Sequence, residues 1–349
     1  MRILHTADWH LGDRLGRIDR TADLRRAVER VAKQCHDHKV DTLLVAGDLF
    51  SELARPDTLR ETIHHWQEVF ADFLGRGGTI LAITGNHDNE NFCRTLSHAM
   101  ALAAPMVGAP GEPVPPGRFY LAAEPTFLRL GGIQFYLMPY PTPTRYLRGE
   151  SNQKYTSPEE KQKMLISAFE RTLQGFREHP RFESIPTVLV AHATVRGADI
   201  GTSLFRLNLD DDVQVNDARM AEQYAYVALG HIHKPQCLGG HQHVRYSGSI
   251  EKMDLGEQLD SKRTVLFELG PKGLVGEIVE LPLPSTGIFE LLVNDPTEDL
   301  PRLRAEYPEP TDDLVKLRIR YTRGKDNLEE ILRELEAIFP RWYSRDWTE

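Results

Sequence analysis

The chain has 349 residues, 40% hydrophobic and 27% charged, a composition typical of a globular protein with room for one large domain and a smaller one. It carries 42 Lys and Arg against 51 Asp and Glu, so its net charge of −9 excludes a strongly basic coat, and any case for nucleic acid must rest on a local site. Three widely spaced cysteines are not a disulfide framework and indicate a reducing, cytoplasmic setting. No apolar stretch approaches the ~18 residues that cross a bilayer, and the first residues enter a strand directly, so we expect neither a membrane span nor a signal peptide.

Strand and helix patterns alternate along the first half of the chain, which predicts an α/β fold built from βαβ units. Apolar runs predict strands at 3–7, 42–46, 79–83, 133–138, 187–191 and 226–229. Apolar residues at helical spacing predict helices at 23–37, 57–74, 94–103 and 158–176. A Pro- and Gly-rich stretch predicts a surface loop at 105–118. A β-meander that closes the domain is predicted at 243–247, 263–269 and 274–281.

A domain boundary is predicted near 282–285, where two prolines flank a leucine. Beyond it, a strand, a helix, a strand and a helix are predicted at 288–293, 297–306, 314–321 and 328–339. This is a compact α+β module of roughly 60 residues, a size that is only marginally stable alone, so we expect it to dock on the main domain. The predicted domains are therefore 1–282 and 285–349.

Five of the predicted strands end at residues that could bind metal ions. In an α/β fold, ligands bind in the crevice beyond the carboxyl ends of the strands, so these residues should meet. Asp8 and His10 are one residue apart and would leave an extended strand on the same side. Asp48 could bridge two metals ~3.5–4 Å apart through its two oxygens. The predicted ligands are Asp8, His10, Asp48 and His233 for one metal, and Asp48, Asn86, His192 and His231 for the other.

The motif Gly85-Asn86-His87-Asp88 adds candidate catalytic residues to these ligands. His87 could protonate a leaving oxygen or stabilise charge on a phosphate, and Asp88 could orient its imidazole. Mixed nitrogen and oxygen ligation favours Mn, Fe or Zn over Mg. Together these residues predict phosphoester hydrolysis with two divalent metal ions.

Each motif also has a structural explanation when it is taken alone. Asp8 and His10 could be a polar strand end, Asp48 a helix cap, and His192 a satisfied core histidine. What favours the metal centre is the joint occurrence of all the ligands at five strand ends. A metal-free scaffold on the same fold would require lost ligands, and none is missing here.

In their order along the chain, these motifs resemble the calcineurin-like metallophosphoesterase superfamily. Four longer stretches, 5–12, 47–50, 230–236 and 246–249, resemble its SbcD-type family, the nuclease subunits of the SbcCD DNA double-strand-break repair complex. The resemblance implies a four-layer sandwich in which helices flank two central mixed β-sheets, with a small α+β capping domain. It also implies that 1–282 is the nuclease domain and that 285–349 caps DNA.

The resemblance implies a Mn-dependent DNA nuclease with 3′→5′ double-strand exonuclease and single-strand endonuclease activity on DNA ends and hairpins. The native metal stays open, since Fe, Zn and Mg are alternatives. Implied partners are an SbcC-type ABC ATPase with a coiled coil and a second copy of the chain, which would dimerise through helices near 57–74 and 94–103. Trp66, Leu96 and Met100 could form that dimer face, although core packing explains them equally well.

Two departures from the family pattern bear on these expectations. Archaeal and eukaryotic members carry a histidine where this chain has Ser51. Family members usually continue into a segment that docks on the ATPase, whereas this chain ends at Glu349, soon after the last predicted helix.

Basic residues near the first motif and on the strand 314–321 could contact DNA phosphates, although a solvated surface is an equal explanation. The candidates are Arg14, Arg17, Arg20, Arg318 and Arg320. The alternative function is a small-molecule phosphodiesterase or phosphomonoesterase that uses the same metals.

Overall fold

The computed structural model describes residues 1–103, 118–147, 157–202, 214–215 and 220–349. The strands are β1 (Arg2–Thr6), β2 (Arg14–Leu15), β3 (Ile18–Asp19), β4 (Thr42–Ala46), β5 (Thr79–Ile83), β6 (Phe119–Ala122), β7 (Thr126–Leu130), β8 (Ile133–Met138), β9 (Thr187–His192), β10 (Thr194–Val195), β11 (Gln214–Val215), β12 (Tyr226–Gly230), β13 (Gln236–Leu238), β14 (His241–Tyr246), β15 (Arg263–Gly270), β16 (Gly273–Pro282), β17 (Ile288–Val293), β18 (Leu314–Arg320) and β19 (Trp342–Thr348).

The α-helices are α1 (Thr21–Asp37), α2 (Pro56–Gly75), α3 (Glu90–Ala103), α4 (Pro143–Tyr146), α5 (Pro158–Arg177), α6 (Met220–Gln223), α7 (Pro296–Glu306) and α8 (Leu328–Ile338). A short 3₁₀ helix spans Leu255–Glu257. Except for Arg118, the loop predicted at 105–118 lies outside the described residues. Among the helices of the described ranges, none has the length and apolar character that crossing a bilayer requires.

Two mixed sheets form the centre of the main domain. The first has the strand order β16-β15-β1-β4-β5-β6. Strands β1, β4, β5 and β6 run parallel to one another, and β15 is antiparallel to both of its neighbours, β1 and β16. The second has the order β13-β14-β12-β9-β8-β7, with parallel strands in the middle and an antiparallel strand at each edge. In both sheets the parallel strands end at the same edge, which brings the loops after β1, β4, β5, β9 and β12 together.

The apolar side chains of the central strands alternate between the interface of the two sheets and their outer faces. Leu44 and Phe135 belong to the core between the sheets. Leu43 instead packs beneath α1, α2 and α3, where Val28 and Trp66 complete a second core. Phe169 of α5 belongs to a third core on the outer face of the second sheet. These layers confirm the predicted four-layer α/β sandwich.

The predicted β-meander is wrong in its pairing, although all three of its strands are present. Strand β14 pairs in parallel with β12 in the second sheet, whereas β15 and β16 pair with each other in the first sheet. An alternating pattern predicts that a segment is extended but does not name its partner. The segment 247–262 therefore crosses from one sheet to the other and passes the edge where the metal motifs lie.

The last 62 described residues form the predicted α+β module around a parallel sheet ordered β17-β18-β19. Its own core includes Val293, Leu317 and Leu335. Strand β19 was not predicted; it pairs with β18 and completes the sheet. Along β18, Val315, Leu317 and Ile319 are buried while Arg318 and Arg320 are exposed, as the alternation predicts.

Candidate metal centre

The metal motifs meet where the two sheets end together. Backbone hydrogen bonds join the first two motifs, since the amide of Asp8 donates to the Gly47 carbonyl at 3.0 Å and the amide of His10 donates to the Asp48 carbonyl at 2.9 Å. In the second sheet, Gly230 pairs with His192, which aligns the ends of β12 and β9. Sequence segments far apart in the chain thus bring their polar residues to one cleft.

Four site residues adopt the left-handed backbone conformation that side chains normally avoid. The φ angles are 53° at Asp8, 45° at His10, 51° at Asp48 and 96° at His231, and in the described ranges only Lys39 shares this feature among non-glycine residues. Strain of this kind costs on the order of 1–3 kcal/mol per residue and tends to cluster at functional sites. Strand β1 ends at Thr6, so the convergence of Asp8 and His10 comes from these bends and not from the extended strand that was predicted.

The first set of predicted ligands, which we call the His10 position, comprises Asp8, His10, Asp48 and His233. The Nε2 atoms of His10 and His233 lie 3.0 Å apart, and His10 Nε2 lies 3.7 Å from Asp48 Oδ2. Ligand atoms of Asp8, His10 and His233 all lie within 4.8 Å of one another. The buried Asp8 Oδ2 has no hydrogen-bond partner among the described residues. A buried acceptor facing two imidazole nitrogens is an arrangement that a divalent cation would satisfy.

The second set, which we call the His192 position, comprises Asp48, Asn86, His192 and His231. His192 Nε2 lies 3.2 Å from Asp48 Oδ2 and 3.0 Å from Asn86 Oδ1, and His231 Nδ1 lies 3.0 Å from the same amide oxygen. Asp48 Oδ2 thus faces both positions, as a bridging carboxylate would. The structure therefore brings together all seven predicted ligands, and their chemistry fits two cations of the Mn, Fe or Zn type.

The electrostatics of the cleft show how strongly the ligands depend on one another. Burial raises the pKa of Asp8 and lowers the pKa of His10 well below its usual range. Burial would also raise the pKa of Asp48, but His192 and other neighbouring histidines outweigh it and hold that pKa well below normal. Burial opposes a charged His192, yet Asp48 above all raises its pKa to about 9. Bound divalent cations would replace the proton on His192 as the positive charge that balances Asp48.

Two glycines allow the ligands to approach the backbone. A Cβ atom at Gly47 would lie 2.1 Å from His192 Nδ1, and one at Gly85 would lie 2.0 Å from Asp48 Oδ1. Gly47 also has a φ of +97°, which side chains rarely adopt. The glycines of these motifs are therefore part of the site's geometry.

The structure places His87 beside the His10 position. Its ring lies 5.1 Å from the His10 ring, and its backbone amide donates to Asp48 Oδ1 at 2.9 Å. Its Nδ1 lies 3.6 Å from the carboxylate of Glu52, which is half exposed. This arrangement keeps the imidazole at the edge of the cleft, where a substrate could reach it.

The predicted role of Asp88 is contradicted by its contacts. Its carboxylate accepts hydrogen bonds from the amides of Gly85 at 2.8 Å, Phe50 at 2.8 Å and Leu49 at 3.2 Å, and not from His87. Burial raises the pKa of Asp88 to about 6, with Asp48 adding to the effect. Asp88 joins the loop after β4 to the loop after β5 and is a positioning residue. Sequence adjacency suggested the wrong partner because adjacent side chains diverge.

Two buried charged residues near the ligands were missed by the sequence analysis. Glu257 Oε1 accepts a hydrogen bond from His233 Nδ1 at 2.8 Å, and Lys262 Nζ lies 2.6 Å from Glu257 Oε2. Burial opposes the charge on Glu257, but Lys262 and His233 hold its pKa well below the usual range. No motif marked these residues, because 24 positions separate Glu257 from His233.

Tyr140 is a second omission, and it lies at the His192 position. Its ring is 5.4 Å from the ring of His231 and 6.1 Å from that of His192. Its amide donates to the Thr84 carbonyl at 3.0 Å, which fixes the backbone just before the motif Gly85-Asn86-His87-Asp88. The only available signal was its place between two prolines after β8.

Two of the predicted DNA contacts have structural partners instead. Arg20 is 1% exposed and donates to Asp23 Oδ2 at 2.6 Å and to the Lys252 carbonyl at 2.9 Å. Arg17 lies 4.0 Å from the centre of the Trp342 ring and donates to the carbonyls of Trp342 and Pro340 at 3.0 Å each. Arg17 therefore attaches the C-terminal module to the main domain, whereas Arg20 joins residues of the main domain, one of which, Asp23, also accepts from Arg341 of the module. Their basic charge suggested phosphate contacts because the sequence does not reveal the module's position.

The other three arginines remain candidates for phosphate contacts. Arg14 is exposed and lies 3.4 Å from Asp19, and Arg318 is exposed and lies 3.6 Å from Glu290. Arg320 is exposed on the same face of β18 as Arg318. Exposed ion pairs of this kind are weak and leave a guanidinium free to bind another anion.

Among the residues proposed for a dimer face, Trp66 of α2 packs in the core. Trp66 is 8% exposed and stacks among aromatic rings, with its own ring centre 5.2 Å from that of Phe50 and 5.5 Å from that of Trp9. The contacts of Trp66 thus favour the core explanation, and a homodimer stays a prediction. Ser51 is buried and donates to Asp13 Oδ1 at 2.7 Å, so it supports the loop after His10.

Comparisons with known proteins agree with this geometry. A family model described as calcineurin-like phosphoesterase matches residues 1–235. The SbcD subunit of nuclease SbcCD from Escherichia coli (strain K12) is 26% identical over 316 residues, covering 84% of this chain and 71% of the relative. Its counterpart from Bacillus subtilis (strain 168) is 28% identical over 283 residues, covering 78% and 67%. A solved structure of TT1561 from Thermus thermophilus aligns with 80% of this chain and 98% of its own at 14% identity and a TM-score of 0.44, too distant to support an argument.

These matches confirm the resemblance to SbcD-type nuclease subunits and the prediction of a metal-dependent phosphoesterase. All the residues of the His10 and His192 positions lie within the span of the family model. Since that span covers more than half of the sequence, the chain belongs to the calcineurin-like phosphoesterase family.

Proposed function

We propose that this chain is a two-metal DNA nuclease that hydrolyses phosphodiester bonds at DNA ends. The observation that carries the proposal is the shared oxygen of Asp48, which lies 3.7 Å from His10 Nε2 and 3.2 Å from His192 Nε2. A carboxylate facing two ligand sets is what a pair of cations needs for phosphoester hydrolysis. The choice of DNA rests on the relatives named as nuclease subunits.

The residues of the cleft have separable tasks in this proposal. Two divalent cations would supply the Lewis acidity that activates a water nucleophile and offsets charge on the phosphoryl group. The His10 and His192 positions would hold them, with Asp48 fixing their separation. His87 would donate a proton to the leaving oxygen or a hydrogen bond to a phosphate oxygen. Asp88 keeps the loops of Asp48 and His87 in register through its three backbone contacts.

The proposal includes finer features that the resemblance implies. The metals are Mn²⁺, and the activities are 3′→5′ exonuclease on double strands and endonuclease on single strands and hairpins. The module at 285–349 caps DNA through the face that carries Arg318 and Arg320. An SbcC-type ABC ATPase with a coiled coil and a second copy of this chain are the partners, in the cytoplasm and in double-strand-break repair.

The test is Mn²⁺-dependent cleavage of an end-labelled linear duplex by this chain alone. Wild type should release the label progressively, and His87→Ala should bind two metals but cleave at least ~100-fold more slowly, since one general acid is worth about 10²–10⁴ in rate. His64→Ala is the matched control, because His64 lies on the exposed surface of α2. Two bound metals with rapid hydrolysis of nucleotide monophosphoesters but no duplex cleavage would favour a small-molecule phosphoesterase. Equal metal loss in His87→Ala and Asp48→Ala would refute the division between chemistry and ligation.

A further inference from the structure

Glu257 supports a ligand of the His10 position from behind. Its side chain is 1% exposed, at the end of the short 3₁₀ helix in the segment that crosses between the sheets. Its Oε1 lies 2.8 Å from His233 Nδ1, on the side of the imidazole opposite the ligand atom. Carboxylates in this place orient metal-binding histidines and make them stronger donors.

The other oxygen of Glu257 is held by three further groups. Lys262 Nζ lies 2.6 Å from Oε2, the amide of Met253 donates at 3.1 Å, and the Ser249 hydroxyl oxygen lies 3.2 Å away. Lys262 is itself buried and also donates to the His233 carbonyl at 3.0 Å. The carboxylate therefore has a fixed orientation, and Lys262 ties it to the backbone of the histidine that it supports.

This arrangement determines which nitrogen of His233 faces the metal position. An ionised carboxylate can only accept a hydrogen bond, so Nδ1 of His233 must carry the proton. In the neutral ring, the lone pair is then on Nε2, which lies 3.0 Å from His10 Nε2. The histidine is thus prepared for ligation without a change of tautomer.

His192, a histidine ligand of the other position, has a neutral support. His192 Nδ1 donates to the backbone carbonyl of Ala46 at 2.7 Å, which fixes the tautomer through a neutral acceptor. A carboxylate makes the attached imidazole more basic than a carbonyl does, because hydrogen bonds to charged groups are about twice as strong. His233 should therefore be a stronger donor to a metal than His192.

We propose that Glu257, fixed by Lys262, is a positioning residue that raises the metal affinity of the His10 position, so that this position fills before the His192 position. The inference rests on the proposed two-metal site and adds an order of loading to it. Removing such a supporting carboxylate typically weakens metal binding about 10–100-fold. Removing the Glu257 carboxylate should therefore weaken only one of the two metal-binding events, the one at the His10 position.

The experiment titrates Mn²⁺ into metal-free protein and follows binding by calorimetry and by electron paramagnetic resonance. Wild type should bind in two events, and at one equivalent it should show the spectrum of isolated bound Mn²⁺. The spectrum of a coupled pair should appear only with the second equivalent. In Glu257→Gln, the tighter event should weaken by about 10–100-fold while the weaker event stays within about threefold.

Glu251→Gln is the matched control because Glu251 is also 1% exposed and lies in the same segment, yet its side-chain contacts are with Arg20, Lys252 and Thr286 and not with a ligand. Its metal affinities should equal those of wild type. Glu257→Asp keeps the charge beside Lys262 but shortens the reach to His233, and it should weaken the same event if Glu257→Gln does not fold.

Three results would overturn the inference. They are equal affinities in wild type, an equal loss at both events in Glu257→Gln, and unchanged affinities in either variant at Glu257. A wild-type protein that binds no Mn²⁺ at all would instead overturn the proposed function, on which the inference depends.

Discussion

Asp23→Ala should detach the C-terminal module by removing the centre of a buried ionic network. Asp23 is 2% exposed and accepts from Arg20 Nε at 2.6 Å, from Arg26 Nη2 at 2.6 Å and from Arg341 Nη2 at 2.5 Å. Two of these arginines belong to the main domain, and Arg341 belongs to the module. The substitution leaves the buried Arg20 with the Lys252 carbonyl and a carboxylate 3.9 Å away at Glu251.

The expected cost follows from the burial of the charge that remains. Removing one partner of a buried ion pair costs about 3–5 kcal/mol, because the other charge stays in the interior without full compensation. With a urea m-value of about 1–3 kcal/mol/M, the midpoint of the affected transition should fall by about 1 M or more. Arg26→Ala is the control, since Arg26 is half exposed and its pair should contribute less than about 1 kcal/mol.

The assay is urea unfolding followed by circular dichroism and tryptophan fluorescence. The four tryptophans divide evenly, with Trp9 and Trp66 in the main domain and Trp342 and Trp347 in the module. Asp23→Ala should separate an early transition of the module from a later one of the main domain. A single transition within about 1 kcal/mol of wild type would show that Asp23 does not hold the two parts together.

Three further predictions concern the cleft, the core and the module. Gly85→Ala should lose Mn²⁺ binding measured by calorimetry, because its Cβ would lie 2.0 Å from Asp48 Oδ1; retained affinity would contradict the close approach. Trp66→Ala should destabilise the fold by about 3–5 kcal/mol in urea unfolding as a core cavity. An unchanged stability with a lost dimer in light scattering would instead make Trp66 an interface residue. Arg17→Ala should cost about 1–2 kcal/mol, less than Asp23→Ala, through the lost contact with the Trp342 ring and two carbonyl bonds. A larger effect than that of Asp23→Ala would reverse this ranking.

Local pattern was enough to predict the main strands and the ligand set. Strands β4 and β5 have the predicted bounds because a threonine followed by four apolar residues, between turn signals, has few other outcomes. The ligands were predicted together because ligands of α/β folds gather beyond the carboxyl ends of the strands, and here the strands of both sheets end at the same cleft. Asp8 and His10 were correctly paired for an incorrect reason, since their left-handed backbone has no signature in a single sequence.

What failed were inferences about partners that are distant in sequence. The order of residues suggested that Asp88 holds His87, whereas tertiary packing gives Asp88 to the loop of Leu49 and Phe50. Arg17 and Arg20 have the composition of a phosphate-binding segment, but the docked module supplies the partner of Arg17, and the folded main domain supplies that of Arg20. Glu257 could not be found, because a carboxylate beside Gln258 in a polar stretch looks like any exposed residue.

The metal centre and the attachment of the module depend on the same two segments of the main domain. The loop that begins at His10 continues through Asp13, whose carbonyl accepts from the amide of Arg20 at 3.1 Å. The segment 247–262 holds His233 through Glu257 and contacts the start of the module through Glu251, which accepts from the Thr286 amide at 2.8 Å. A displacement of the module can therefore reach both sides of the His10 position, through Arg17, which donates to the Trp342 carbonyl, and through Glu251, which accepts from the Thr286 amide. The His192 position shares Asp48 with the His10 position, but its other ligands, Asn86, His192 and His231, lie outside these two segments. We therefore expect a moving module to disturb the metal at the His10 position first.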